Sequence, residues 1–182
     1  MALARRSDYN IESHAHVELA DLTRVRDGTK INTATVKAYI CEPAVHPDVD
    51  SAADFTNPGE VGIDIANHTM EAGDYVLIYE TINYDFEYKV LSSNTDASTI
   101  FFAATQTAET FHGNEDIYKV VKNSSQITLT HIGSDPNGYY AGNFDNLPVL
   151  IAGQTYYRII TVLIPGTGEV RVFVDELKAK YG

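Results

Sequence analysis

The feature that most constrains the fold is the alternation of short β-favouring runs with turn residues. Residues 75–79 form such a run after Gly73-Asp74, and residues 86–91 resume it after an Asn-Tyr-Asp break. A third run, 155–164, leads through Pro165-Gly166-Thr167-Gly168 into alternating valines. Short strands with frequent turn signals indicate an all-β sandwich or barrel. Residues expected in its core are Val36, Ile40, Ile159, Val162, Val170 and Val172.

Composition allows a folded, core-containing chain. The protein has 182 residues, of which 44% are hydrophobic and 21% charged, so we expect one large domain or two small ones. Cys41, the single cysteine, excludes an intrachain disulfide and is predicted to be a small buried apolar residue. No apolar run approaches the ~20 residues that span a bilayer, and no apolar segment follows Arg5-Arg6 as in a signal peptide. We therefore expect no membrane role, and assembly in a cytoplasm.

The charge balance disfavours anionic partners. The formal net charge is -12, and residues 58–122 alone contain eleven acidic and three basic side chains. Such a surface repels phosphate groups, so a direct nucleic-acid role is not expected.

Two segments are predicted to lie outside regular strands. Residues 1–16 are polar and have too few aliphatic side chains for a core strand, which indicates an N-terminal arm. Residues 42–58 contain three prolines and three aspartates, which indicates a loop or linker.

A spaced set of residues in the central part of the chain carries a resemblance. The set consists of His68, Gly73-Asp74, Val76, Ile78, Thr81, Asn83-Tyr84-Asp85, Tyr88 and Val90. This pattern resembles a segment that recurs in structural proteins of tailed bacteriophages, and it implies a small SH3-like β-barrel. Phe86 stands where that pattern prefers glycine, which predicts a wider turn or a packed phenylalanine.

The flanking segments resemble the immunoglobulin-like modules of the same class of virion proteins. The matching residues are 34–40, Gly138-Tyr139, Gly142, Leu150, Gly153 and Tyr156. The resemblance implies an immunoglobulin-like β-sandwich with a small β-barrel inserted in a loop. The expected organisation is an arm at 1–16, a discontinuous sandwich at 17–57 plus 123–182, and an inserted barrel at 58–122.

Candidate chemistry is sparse. His14 and His16 form an H-x-H pair of the kind that ligates metals, and Asp48, Asp50 and Asp54 lie within one loop as calcium ligands do. A solvated arm and a solvated loop are the favoured interpretations, because the remaining ligands of either site are missing.

Other histidines and acids have structural interpretations. His68 is predicted to cap a turn with its ring, His112 with Glu115-Asp116 to form a charged turn, and His131 to lie on a strand. No catalytic motif is recognised, so we expect no catalytic, metal or cofactor site.

The resemblance implies a non-enzymatic structural protein of a tailed-phage particle. It would contact portal, connector, capsid or tail proteins and form a homo-oligomeric ring, for example at the neck. The residues expected to bind partners are Arg5, Arg6 and Tyr9, because the arginines can pair with the acidic body of a neighbouring copy. An alternative is a carbohydrate-binding or adhesin-type β-sandwich, in which Tyr75, Tyr79, Tyr84 and Tyr88 would stack on sugars.

Overall fold

The structure is a computed structural model that describes residues 5–10, 16–23, 27–92, 95–121, 126–133, 138–144 and 150–180, with only the backbone at 5–10 and 178–180. These residues contain twelve strands and no helix, so the predicted all-β class is confirmed. The strands are β1 (Arg5–Asn10), β2 (His16–Leu19), β3 (Thr35–Cys41), β4 (Glu60–Asp64), β5 (Tyr75–Tyr79), β6 (Phe86–Lys89), β7 (Thr99–Ala103), β8 (Asp116–Lys119), β9 (Gln126–His131), β10 (Tyr140–Asn143), β11 (Thr155–Ile164) and β12 (Glu169–Lys180).

The chain divides into two compact units. Unit 1 consists of Met1–Cys41 and Ser124–Gly182, and unit 2 consists of Glu42–Asn123. Unit 2 therefore interrupts unit 1 in sequence, between β3 and β9, which are antiparallel neighbours in one sheet.

Unit 1 contains a seven-stranded sheet in the order β1-β12-β11-β3-β9-β10-β2. The long hairpin of β11 and β12 forms around residues 165–168, as the turn signal predicts. Strand β9 divides its pairing, since its first four residues pair with β3 and its last two with β10.

The connection between β1 and β2 shows that this sheet curls. The two strands lie at opposite ends of the strand order, yet only five residues join them in sequence. That connection spans at most about 22 Å from Asn10 to His16. In a flat sheet of seven strands the outer strands would lie about 29 Å apart. The two edges must therefore bend towards each other.

Side chains from both faces of the sheet enter the core of unit 1. Strand register places Val36, Ile40 and Val162 on one face and Ile159 on the other, and all four are buried as predicted. The prediction that Val170 and Val172 are largely buried is wrong: both are half-buried. They pair with Leu163 and Thr161 near the turn of the hairpin, on the face of Ile159, and Leu163 is itself 42% exposed.

A loop of unit 1 is held against the turn before β10. Leu22, which is buried, donates its N–H to the Gly138 carbonyl at 3.0 Å, and its own carbonyl accepts the Ile31 N–H at 2.9 Å. Gly138 has φ +65°, and a Cβ added there would overlap the Leu22 backbone. Only glycine fits this close approach without strain.

Unit 2 combines two small sheets, β4-β7 and β6-β5-β8. Alternating side chains fill its core, including Val61, Ile63, Val76, Ile78 and Phe102. A bridge from Val90 to Phe102 joins β6 to β7 beyond the end of β6.

The proline-rich segment, residues 42–58, forms backbone hydrogen bonds with strands β8 and β4 of unit 2. Val45 exchanges backbone hydrogen bonds with Ile117 of β8, both at 2.9 Å, and Asp54 does so with Gly62 of β4 at 2.9 and 2.7 Å. Residues 42–58 contain no strand, so the predicted loop is confirmed, but these bonds hold the loop to unit 2 and exclude a free linker. The boundary falls at 41/42 instead of 57/58, because backbone pairing fixes a segment whose side chains show no strand pattern.

The N-terminal segment also departs from its prediction. Residues 5–10, expected within a strandless arm at 1–16, form β1 and pair in parallel with β12. His16 begins β2, which pairs with β10. An edge strand needs backbone partners on one side only and tolerates polar side chains, so the lack of aliphatic residues was a poor guide.

Candidate functional site

Strand β1 carries the three residues predicted to bind partners. Arg5, Arg6 and Tyr9 lie opposite Asp175, Glu176 and Ala179 of β12 in the backbone register. The backbones of the two arginines thus lie opposite acidic residues of the same chain. Strand β1 ends the strand order, so its outer edge offers backbone N–H and C=O groups that a further strand can use.

An ion pair that is largely shielded from solvent joins β11 to β12, the strand beside β1. Asp175 Oδ2 accepts from Arg158 Nη2 at 2.5 Å and from Nε at 3.1 Å, and both side chains are less than one-fifth exposed. A charge-assisted pair of this kind fixes β11 and β12 in register. Asp175 lies opposite Arg5 in the backbone register, and its carboxylate already has Arg158 as an ion-pair partner.

The opposite edge of the sheet holds a polar cluster around His16. Its Nδ1 lies 2.8 Å from Asn143 Oδ1 and its Nε2 lies 2.9 Å from Glu18 Oε1, which also accepts from Tyr139 at 2.6 Å. The hydrogen bonds to Asn143 and then Glu18 raise the pKa of His16, because two acceptors favour its doubly protonated ring. Both ring nitrogens of His16 thus have an acceptor within hydrogen-bond distance.

The proposed H-x-H metal pair finds no support in this cluster. His14 lies outside the described residues, and among those the structure describes no group of three His, Cys, Asp or Glu side chains could hold a metal ion.

The three loop aspartates considered for calcium have separate contacts. Asp48 Oδ1 accepts the Ala66 N–H at 3.1 Å, whereas Asp54 Oδ1 accepts from the N–H and hydroxyl of Thr56. Asp50 lies 3.9 Å from the ring of His112. Their carboxylates thus contact three different partners, and among the described residues they form no group that could hold a metal ion.

Two buried carboxylates hold loops of unit 2. Glu109 accepts the N–H groups of Ile82 at 2.7 Å and Asn83 at 3.0 Å. Glu115 accepts those of His112 and Asn114, so the charged turn predicted there is built around an inward-facing acid. Glu109 carries no sequence signal, since its partners lie more than 25 residues away.

The other single residues behave largely as predicted. Cys41 is buried and forms no disulfide, and His131 lies on β9 with its ring edge-on to Tyr140 at 5.4 Å between centroids. His68 accepts the Met70 N–H on Nδ1 at 3.1 Å, which confirms the turn-capping role.

The tyrosines considered for sugar stacking contribute mainly to packing. Tyr84 is 1% exposed and Tyr79 is 8% exposed. Tyr88 packs against Phe102 with ring centroids 4.3 Å apart. Tyr79 and Tyr84 are therefore not available for stacking, whereas Tyr75 and Tyr88 are half-buried.

A cavity of about 510 Å³ adjoins His68 in unit 2. The turn at 68–72 and the turn at 95–97 line it. Glu71 lies three positions after His68 in the sequence, whereas Asp96 lies 28 positions after it and reaches this cavity only in the fold.

Comparisons with protein-family models, curated proteins and solved structures give no match to this chain. In the part of the chain that the structure describes, no helix is long and apolar enough to cross a membrane.

Proposed function

We propose that this protein is a non-enzymatic structural component of a tailed-phage particle. It makes contacts with further copies of itself in a ring, and with other virion proteins of the neck, capsid or tail. The particle is assembled in the host cytoplasm. The observation that carries the proposal is the open outer edge of β1, next to the charge register of Arg5 and Arg6 with Asp175 and Glu176.

The same proposal includes a specific fold type for each unit. Unit 1 would be an immunoglobulin-like sandwich, in which β9 passes from one layer to the other; its divided pairing and the curl of the sheet support this. Unit 2 would be a small SH3-like barrel, and the backbone bonds of Val45 and Asp54 to its two outer strands support this.

An open edge suits ring assembly for a physical reason. Backbone groups at an edge can pair with an extended segment of a neighbour without any change in the rest of the sheet. Many such contacts in a closed ring add their free energies, so each can be weak.

Sedimentation velocity on the full chain and on an Arg6→Glu variant tests the proposal. We expect the natural protein to form a discrete oligomer whose population falls with added salt and falls further in Arg6→Glu. Lys89→Glu is the matched control, because it makes the same charge change at an exposed position of β6 in unit 2. A monomer under all conditions, together with failure to co-sediment with phage particles, would refute the assembly role.

A further inference from the structure

The two units differ sharply in charge. Unit 2 contains fifteen acidic and three basic side chains, whereas unit 1 contains ten of each. Two copies of unit 2 therefore repel each other, while unit 1 has no net charge and holds ten of the thirteen bases. When two copies of this chain associate, the charges favour a contact between unit 2 of one copy and unit 1 of the other.

The β5–β6 turn, residues 80–87, displays two apolar side chains to solvent. Ile82 is 84% exposed and Phe86 is 47% exposed. Three of the eight residues in this turn are acidic and none is basic. The turn is therefore an apolar surface with negative charge around it, in the unit that carries the negative charge of the chain.

Buried groups hold the backbone of this turn in place. Glu109, which is buried, accepts the N–H groups of Ile82 at 2.7 Å and Asn83 at 3.0 Å. Asp85 Oδ1 accepts the N–H of Thr81 at 2.8 Å and its hydroxyl at 2.9 Å. The Ile82 side chain thus extends into solvent from a backbone that is already fixed, so a contact through it costs little conformational entropy.

The conformation of Phe86 is strained. Phe86 lies opposite Ile78 in the register of β5 and β6, and Ile78 is completely buried. Regular alternation would therefore turn the Phe86 side chain towards the same core, yet nearly half of the residue is exposed. Its φ of +146° is a conformation that L side chains rarely adopt. Strained backbone of this kind clusters at binding sites, where it directs a side chain.

Unit 1 displays a surface of complementary character, the hairpin face. It lies near the turn of the β11–β12 hairpin and consists of neighbouring residues on three adjacent strands: Leu163, Val170, Thr161, Val172, Thr35 and Lys37. Leu163 is exposed and the two valines are half-buried, so aliphatic surface is open to solvent. None of the six residues is acidic and Lys37 is basic, so this face attracts an acidic, apolar segment.

We propose that the β5–β6 turn of one copy docks onto the hairpin face of a second copy, with Ile82 and Phe86 against Leu163, Val170 and Val172. The contact joins two different surfaces, so it repeats head to tail from copy to copy. It rests on the self-association in the proposed function and adds a second contact to the open edge of β1. The contact is small, so it stabilises the assembly through repetition around a closed ring.

Sedimentation velocity of the full chain and of two variants tests the contact. Ile82→Asn removes the aliphatic side chain from the turn, and Leu163→Thr removes one from the hairpin face but keeps a strand-favouring residue. Each should weaken self-association about tenfold, because each removes most of one aliphatic side chain from the contact. Val49→Asn in unit 2 and Ile151→Thr in unit 1 are the matched controls, since both residues are exposed and lie outside the two surfaces. Circular dichroism verifies that each variant is folded.

A mixing experiment distinguishes two different surfaces from a contact of like with like. Ile82→Asn retains the hairpin face and Leu163→Thr retains the turn, so one complete contact can form between the two variants. We expect an equimolar mixture to associate more tightly than either variant alone. A mixture that associates no better would overturn the docking of the turn on the hairpin face.

The failure of this contact is distinguishable from the failure of the assembly role. If Arg6→Glu weakens self-association but Ile82→Asn and Leu163→Thr do not, the docking is wrong and the assembly role stands. A natural chain that stays monomeric at ~0.5 mM would also overturn the docking, whereas the assembly role is refuted only if the chain also fails to co-sediment with phage particles. Binding to phosphatidylcholine vesicles that Ile82→Asn abolishes, with unchanged self-association, would assign the turn to a lipid surface instead.

Discussion

The carboxylate of Glu115 is expected to be a main support of the loop that precedes β8. Both of its oxygens accept the His112 N–H, at 3.0 and 3.1 Å, and Oε2 also accepts the Asn114 N–H at 3.1 Å. The residue is 3% exposed, so water cannot replace the acid once it is removed. Glu115→Ala therefore leaves two backbone donors without their acceptor.

The magnitude follows from these bonds. A hydrogen bond to a charged group contributes about 1.5–3 kcal/mol, and an unsatisfied buried donor costs about 1–3 kcal/mol. Part of this loss is offset because the variant no longer buries a charge. We expect Glu115→Ala to lower the free energy of unfolding of unit 2 by about 2–4 kcal/mol, and Glu115→Gln to lower it less, since the amide oxygen still accepts.

The pH dependence has a defined sign. Burial alone raises the pKa of Glu115, but the N–H groups of residues 112–115 outweigh it and hold that pKa below its ordinary value. The stabilisation is therefore fully present above the pKa of the unfolded state, about 4.3. It is lost as the pH falls through the lower pKa of the folded state.

Hydrogen exchange followed by mass spectrometry can assign the effect to unit 2, because two units need not unfold together. Peptides covering β5 and β8 should exchange faster in Glu115→Ala at pH 7, and the difference from the natural chain should shrink in acid. Glu71→Gln, an exposed acid without a hydrogen-bond partner for its carboxylate among the described residues, is the control. Unchanged exchange in Glu115→Ala at pH 7, or a difference that grows as the pH falls, would refute this account of the loop.

Three further outcomes can be checked in unit 1. Gly138→Ala should destabilise the unit by more than the roughly 1 kcal/mol of an unfavourable φ alone, because its Cβ meets backbone; thermal unfolding within 1 °C of the natural chain would contradict the close approach. Val162→Ala should cost about 1–4 kcal/mol and Val170→Ala clearly less, so equal losses in urea unfolding would disprove the assignment of the two sheet faces. Removing the acceptor in Glu18→Ala should lower the raised pKa of His16 in an NMR titration; an unchanged pKa would show that Glu18 does not contribute.

The sequence predicts strands correctly where the alternation of side chains agrees with the backbone pairing. Alternating residues predicted β3, and the turn at 165–168 predicted the hairpin of β11 and β12. The end of β12 is harder to predict, because the charged residues from Asp175 onward show no clear alternation, yet the strand continues to Lys180. There the partner strands β1 and β11 supply backbone bonds that no local pattern reveals.

Long-range partners explain the remaining differences. The segment at 42–58 and strand β1 are ordered by pairing with strands distant in sequence, and the acids Glu109 and Asp96 acquire their surroundings only in the fold. Phe86 is informative because the resembling pattern has glycine there. Its φ is +146°, a region that favours glycine, and its ring is 47% exposed, so it is not packed away as one alternative predicted.

The interruption of unit 1 by unit 2 has a consequence for the order of folding. The neighbouring strands β3 and β9 are separated by the 82 residues Glu42–Asn123. Closing an unstructured loop of that length costs about 4 kcal/mol in chain entropy. If unit 2 folds first, its own contacts offset this loss of chain entropy. Strand β9 then pairs with β3 across a short gap and completes the sheet of unit 1. During synthesis, unit 2 is also complete before β9 to β12 exist, so early folding of the interrupting unit is favoured by both entropy and timing.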